Sequence, residues 1–459
     1  MQPRYKVLIG ALLLIAFGFI AQVGYAQTQP SPSAVQAPPA TLFQNVRIFN
    51  GTSEQLSAPS NVLVVGNKIQ QISTAAISEP SGTTRINGTG RVLMPGLIDN
   101  HTHIVLVTSK IEDLLSPDMT PEKLLKITQN NATEMLLRGF TSIRDMAGPA
   151  FAAKATIDDG TVPGPRIYPS GAMISQTSGH GDFRSLKEIP RFATTPPSPA
   201  EVYSVGAIAD GVDEVLRRTR EQLMQGATQI KVAAGGGVAS AYDPLDASQY
   251  TEAEFKAAVD AAANWNTYVA VHAYTPTAIQ TAIRSGVKAI EHGHLIDEPT
   301  AKLMAERGTW LSIQLFLDDE DRNPYPEGSA NRAKQLQVST GTDNAIKLAK
   351  KYNLKLAWGT DTLHNPKVAA RQGAQLAKLT RWYTPAQALK IATSANAQLL
   401  ALSGPRNPYP GKLGVVEEGA LADLLLVNGN PLENIRLIEN PARNFSVIMK
   451  DGKIYKNAA

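Results

Sequence analysis

The sequence predicts an α/β protein whose centre is a (β/α)8 TIM barrel, flanked by a small β-sandwich domain built from both chain ends. Three observations carry that reading. Between about residues 95 and 404, short apolar segments alternate with helical ones eight times, the rhythm of a parallel sheet with crossover helices. The flanks, 41–94 and 405–459, contain short strands and turn pairs instead. All 7 histidines lie at, or just beyond, the C-terminal end of an expected central strand, and those ends form the working face of such barrels.

Taken in order, residues 1–26 read as a secretory signal: Arg4 and Lys6, an apolar run from Val7 to Val23, then Gly24-Tyr25-Ala26 before Gln27. The expected mature chain is periplasmic or secreted, with no stable membrane association once the signal is cleaved. Residues 27–40 (QTQPSPSAVQAPPA) read as a linker. In 41–94 the stretches TLFQNVRIFNG, NVLVVGNKIQQIS and TTRINGTGRVLM are strands, with Gly66-Asn67 as a turn. ADLLLVNGNP and FSVIMKDGKIYKN, turning at Asp451-Gly452, supply matching strands from the far end.

The central strands are GLIDNHTH (96–103), FTSIRDMA (140–147), RIYPSGAMIS (166–175), TQIKVAA (228–234), YVAVHAY (268–274), VKAIEHG (287–293), TWLSIQL (309–315) and LKLAWGTD (354–361). Helical segments such as TEAEFKAAVDAAANW and PTAIQTAIRSG separate them. An open doubly wound sheet is the competing architecture, but it places a glycine-rich phosphate turn after the first strand. Here the glycine run, Gly235 to Gly237, follows the fourth.

Composition narrows the chemistry. The 459 residues carry 44 basic and 40 acidic side chains, without a basic stripe interleaved with aromatics, so no nucleic-acid partner is expected. The absence of cysteine removes disulfides, thiolate ligands and a cysteine nucleophile. Any metal must be held by His, Asp, Glu or a modified Lys. The chain also lacks the Gly-x-Ser-x-Gly elbow of serine hydrolases.

His101 and His103 are two apart on one strand, so both imidazoles leave on the same face. His272 and His292 end neighbouring strands, one βα unit apart, and Asp361 closes the eighth. A carboxylate on such an apolar strand needs a partner. Lys231 lies within the fourth strand, where an inward ammonium is costly to bury. It either faces outward and snorkels to solvent, or faces inward as a neutral amine able to take up CO2 as a carbamate.

Taken together, His-x-His after PGLID, the strand-four lysine, the histidines of strands five and six and the strand-eight aspartate resemble the metal-dependent amidohydrolase superfamily. TSIRD, PGPRIYPSGAMIS, SGHGD, IEHG, GTD and ADLLLVNGNP are similar to its Xaa-Pro dipeptidase (prolidase) and imidazolonepropionase-related branch, over about residues 41–456. The resemblance implies two divalent metal ions, zinc by choice of ligands. His101, His103 and Asp361 would bind the buried one, His272 and His292 the exposed one, and Lys231, carboxylated by CO2, would bridge them. Arg144, His180 and Tyr242 match positions near the substrate, with His180 and Tyr242 as oxyanion donors. Two such cations lower the pKa of a shared water toward about 7, and the resulting hydroxide attacks a carbonyl while Asp361 carries the proton to the leaving amine. The seventh strand, TWLSIQLFL, departs from the family pattern by lacking a Pro-Thr pair. The expected activity is an exported dipeptidase, Xaa-Pro or broader, on a small dipeptide-like substrate. The alternatives are a hydrolase of other amides, carbamates, lactams or esters and, remotely, an inactive periplasmic binding protein. Oligomeric state stays open, a homo-oligomer included.

Overall fold

Strands from opposite ends of the chain share one mixed sheet. The computed structural model describes residues 38–459 apart from 115 and 193, so the signal and most of the linker lie outside the described residues. The N-terminal strands are β1 (Ala40–Ile48), β2 (Ser60–Val65), β3 (Lys68–Ser73), β4 (Thr84–Asn87) and β5 (Arg91–Pro95).

The central strands follow: β6 (Leu97–Thr102), β7 (Phe140–Asp145), β8 (Arg166–Pro169), β9 (Met173–Ser175), β10 (Gly206–Ile208), β11 (Ile230–Ala233), β12 (Val269–Ala273), β13 (Ala289–His292), β14 (Trp310–Ile313) and β15 (Lys355–Trp358). The C-terminal strands are β16 (Leu424–Asn428), β17 (Phe445–Lys450) and β18 (Lys453–Asn457).

The mixed sheet has the order β18-β17-β16-β5-β1-β2-β3, with β4 on β1. Its own apolar core draws on both ends, for example Phe43, Val62 and Ile86 with Leu424, Val447 and Met449. The two turn pairs expected from sequence meet: Asn67 Nδ2 donates to Asp451 Oδ1 at 3.2 Å. Asp451 and Gly452 both have positive φ, 54° and 72°, as a tight hairpin turn requires. A buried ion pair, Arg166 Nε to Asp423 Oδ2 at 2.9 Å, ties β8 to the start of β16.

The central strands form two parallel sheets, β6-β7-β8 and β10-β9-β11-β12-β13-β14-β15. The α/β class and the parallel pairing agree with the sequence. The third expected strand is in fact two, β8 and β9, and the unforeseen β10 pairs with β9. Hydrogen bonds join the sheets at both seams, although ladder pairing stops there. At one, Thr228 N–H donates to Pro169 O at 2.9 Å. At the other, Asp361 N–H donates to His101 O at 2.8 Å, and Asn396 Nδ2 reaches both Ile98 O and Trp358 O, at 2.7 and 2.8 Å.

Alternation along the strands sorts the side chains. Ile143, Val232, Val271, Ile290 and Leu311 join the main apolar cluster with residues of the surrounding helices. Arg144, Lys231, Glu291 and Ser312 point the other way and are buried together. Helices such as Glu252–Asn264, capped by Thr251, and Glu298–Arg307, capped by Asp297, supply the crossovers.

Candidate active site

One partly open cavity is lined by His101, His103, His180, Lys231, His272, His292 and Asp361. Six of these are the expected metal ligands, brought from β6, β11, β12, β13 and the segment after β15 to the C-terminal ends of the strands. Lys231 faces inward and is 1% exposed, which removes the snorkelling alternative. Burial pulls its ammonium down to about 8, against the raising influence of Glu291 and Asp361.

Three buried atoms converge: His101 Nε2 and His292 Nδ1, without a hydrogen-bond partner among the described residues, and Asp361 Oδ1, which has His103 Nε2 at 3.1 Å but outside hydrogen-bond geometry. One ligand atom from each of these residues lies within 4.8 Å of the others. Two imidazole lone pairs left unpaired in the interior beside a carboxylate oxygen call for an occupant, and this donor set suits a divalent cation. The compact group mixes the two expected poles, since His292 was assigned to the other metal. Asp361 also stands 3.1 Å from His103 Nε2 and 3.6 Å from His101 Nε2. Burial pushes its carboxyl up, but His101, His103 and Lys231 together hold it below the ordinary value. The His272 and His292 rings meet edge to face at 4.4 Å, and burial takes both imidazoles well below their ordinary pKa.

The ligand rings are oriented from behind. His101 Nδ1 is 2.8 Å from Glu291 Oε2, His103 Nδ1 is 3.1 Å from Ala147 O, and His272 Nε2 is 3.2 Å from Gly236 O. Each contact engages one ring nitrogen, leaving the other to face the cavity. Burial, then the charge of Lys231, lowers His101 to about 4.

Arg144 is not in the cavity wall. It is wholly buried and donates to Glu291 Oε1 at 2.7 Å, Asn100 O at 2.7 Å, Tyr268 Oη at 3.1 Å and Ser312 Oγ at 3.2 Å. Burial acts to raise Glu291, yet Arg144 and the His101 hydrogen bond bring it down to about 2. Arg144 therefore acts behind His101, out of reach of a substrate in the cavity. Tyr242 also lies outside the lining; it is 44% exposed, and its carbonyl accepts from Ser178 Oγ at 2.9 Å. His294 sits behind the wall, its Nε2 on Gln314 O at 2.8 Å, and His364 Nδ1 contacts Ser109 O.

Sequence reasoning missed several supporting residues. Glu291 had a signal, a carboxylate within the apolar IEHG strand, but His292 beside it drew the assignment. Asp99 accepts from Thr360 Oγ1 at 2.7 Å, Gln372 Nε2 at 2.9 Å and His101 N–H at 3.1 Å, bracing β6 against the turn that carries Asp361. Asp145 accepts from Ile104 N–H at 2.7 Å. Tyr274, Phe316 and Tyr325 form an aromatic wall of the cavity.

The amidohydrolase family model matches residues 92–456. This chain belongs to the amidohydrolase family. Membership makes it a hydrolase acting on amide C–N bonds. Ochratoxinase from Aspergillus niger is 35% identical over 376 residues, covering 80% of this chain and 76% of the relative. A prolidase crystallised with N-methylphosphonate-L-proline superposes with a TM-score of 0.81 at 32% identity, over 91% of this chain and 100% of that one. An Xaa-Pro dipeptidase with bound methionine superposes with a TM-score of 0.77 at 27% identity, over 91% and 100%. The expected superfamily and branch are thus supported.

Proposed function

We propose that this amidohydrolase is an exported dipeptidase, cleaving Xaa-Pro or broader dipeptides with two divalent cations, zinc by preference, at the mouth of a closed (β/α)8 barrel. The observation that carries it is the convergence of unpartnered His101 Nε2 and His292 Nδ1 with Asp361 Oδ1 beside inward Lys231. His101, His103, His272, His292 and Asp361 would hold the cations. A neutral Lys231 Nζ adds CO2 and loses a proton, forming a carbamate whose two oxygens suit a bridge. The cations would supply polarisation of the attacking water and of the scissile carbonyl.

The chain's own groups do the rest. Asp361 takes the proton of the attacking water and passes it to the departing amine nitrogen. Glu291 fixes the ring of His101, and Arg144 keeps Glu291 ionised. The aromatic wall of Tyr274, Phe316 and Tyr325 excludes water and packs against an apolar side chain.

Turnover of zinc-loaded and chelator-stripped protein on Xaa-Pro dipeptides, other dipeptides, N-acylated amino-acid amides and esters tests the reading. Cleavage of dipeptides only with metal is expected. Failure of every dipeptide would overturn it. The likeness to ochratoxinase and the aromatic wall favour a second reading, an amide with a bulky acyl group, which the N-acylated arm would reveal. Export is a separate test: the mature chain is expected to start at Gln27, and intact protein bearing Met1 in the membrane fraction would contradict it.

A further inference from the structure

His180 is the one cavity histidine assigned no metal in that scheme, and its surroundings dictate which of its nitrogens can serve a substrate. Its ring stacks on His272 with centroids 3.9 Å apart and planes 23° from parallel. Nδ1 lies 2.7 Å from Ser240 Oγ and 3.4 Å from Asp243 Oδ2. Ser240 Oγ donates to Asp243 Oδ2 at 2.6 Å, and Gly237 N–H donates to the same oxygen at 2.7 Å. His180 Nε2 has no hydrogen-bond partner among the described residues, while its side chain stays 16% exposed at the cavity wall.

The loop carrying these groups is clamped. Lys334 Nζ donates to the carbonyls of Gly237, Ser240 and Asp243 at 3.0, 3.1 and 2.8 Å. Asn331 Nδ2 donates to Val238 O at 2.6 Å. Both belong to the helix Ala330–Lys351, which follows β14. The fit against His180 is close: a Cβ on Gly237 would stand 2.0 Å from Nδ1, so only glycine admits the ring there.

Proton counting decides the tautomer. An ionised carboxylate only accepts, and a serine hydroxyl has a single proton. Burial acts to raise Asp243, but the His180 and Ser240 hydrogen bonds outweigh it and keep the carboxyl below its ordinary range. The Ser240 proton therefore points to Asp243, and the Ser240 lone pair faces His180 Nδ1, which must carry a proton. We propose that Asp243 and Ser240 are positioning residues that hold His180 as the Nδ1–H tautomer, so that neutral His180 presents a hydrogen-bond acceptor at Nε2 to an N–H of the substrate. This replaces the oxyanion-donor role expected from resemblance, because a neutral imidazole has only one N–H. The proposal rests on reading the cavity as the amidohydrolase active site.

Long-range 1H–15N correlation of 15N-histidine in the zinc-loaded full chain tests it, with His180→Gln assigning the signal among 7 histidines. The wild type is expected to show Nδ1–H. In Asp243→Ala the serine loses its acceptor, its proton turns to His180 Nδ1, and the tautomer becomes Nε2–H. With dipeptide substrate the same variant is expected to lose about tenfold to a hundredfold in kcat/KM, with a raised KM and zinc content little changed. Asp243→Glu should recover part of the loss. Ser240→Ala, which deletes a single hydroxyl, should stay Nδ1–H because the Asp243 carboxylate can then accept directly. A wild-type Nε2–H signal, an Asp243→Ala protein that keeps Nδ1–H, or a Ser240→Ala protein that loses it overturns the proposal. If no dipeptide is turned over, the substrate reading fails while the tautomer measurement still decides this one.

Discussion

The two ends of the central strands are built on opposite principles. Toward their starts, Tyr268, Ala270, Ala289 and Trp310 pack with Ala357, Met146 and Leu399 into an apolar plug. Toward their ends, these and the neighbouring strands bury Arg144, His272, Glu291 and His292, and Lys231, level with Ala270, extends the buried polar layer; several polar atoms there lack a hydrogen-bond partner among the described residues. Packing of the first kind is nearly self-sufficient, because its side chains find apolar neighbours and the Tyr268 hydroxyl is met by Arg144 at 3.1 Å. The second kind is complete only with something added, since unpaired buried groups are unfavourable. One half of the strand layer thus serves stability, and the other holds chemistry at stability's expense.

The sharpest way to break this contrast is Lys231→Ala. It should remove at least one metal equivalent and nearly all activity, while leaving the apolar plug intact. Added formate, acetate or propionate should restore part of the turnover by replacing the missing carboxylate. Two metals and an unchanged kcat in the variant, measured by elemental analysis and kinetics, would remove the proposed bridge.

Next in size is Asp361→Asn, expected to lower kcat by about 10²–10⁴-fold, the range of acid–base catalysis, with a smaller loss of metal. Near-normal kcat at full occupancy would send the proton elsewhere.

Glu291→Gln probes the layer behind the ligands. An outer partner of a ligand typically contributes about tenfold to a hundredfold in metal affinity, so zinc titration should show a loss of that order. The metal-free protein should also melt lower, because Arg144 loses its buried counter-charge, a change of about 3–5 kcal/mol when one partner of such a pair is removed. Unchanged affinity and melting would mean that Glu291 is a bystander.

The smallest functional effect belongs to the plug. Leu399→Ala, at a fully buried site, should lower stability by about 2–5 kcal/mol and leave zinc stoichiometry and kcat as they were. A loss of metal there would show that the two halves are coupled.

Much of this is legible in the sequence. The alternation of apolar and helical segments located the central strands, because periodicity is local. His101, His103, His272, His292, Lys231 and Asp361 stood out as chemistry-bearing residues at corresponding strand ends, and they line one cavity. Arg144 and Tyr242 show the limit of this method. Both match substrate-side positions by resemblance, yet Arg144 turns under the site to Glu291, and Tyr242 lies on an exposed loop outside the cavity lining. Strand alternation assigns a face of a sheet, but it does not say how far along the interior a long side chain reaches.

The sequence by itself determined the α/β class, the parallel order of the strands and the family's metal-ligand pattern, because each is written in local spacing and residue type. Only the tertiary structure decided which nitrogen of each histidine is free. That depends on partners distant in the chain: Glu291 for His101, the Gly236 carbonyl for His272, and Ser240 with Asp243 for His180. A ring nitrogen's role is set by what its twin touches, and in this protein those contacts exist only once the strands and loops have closed around the cavity.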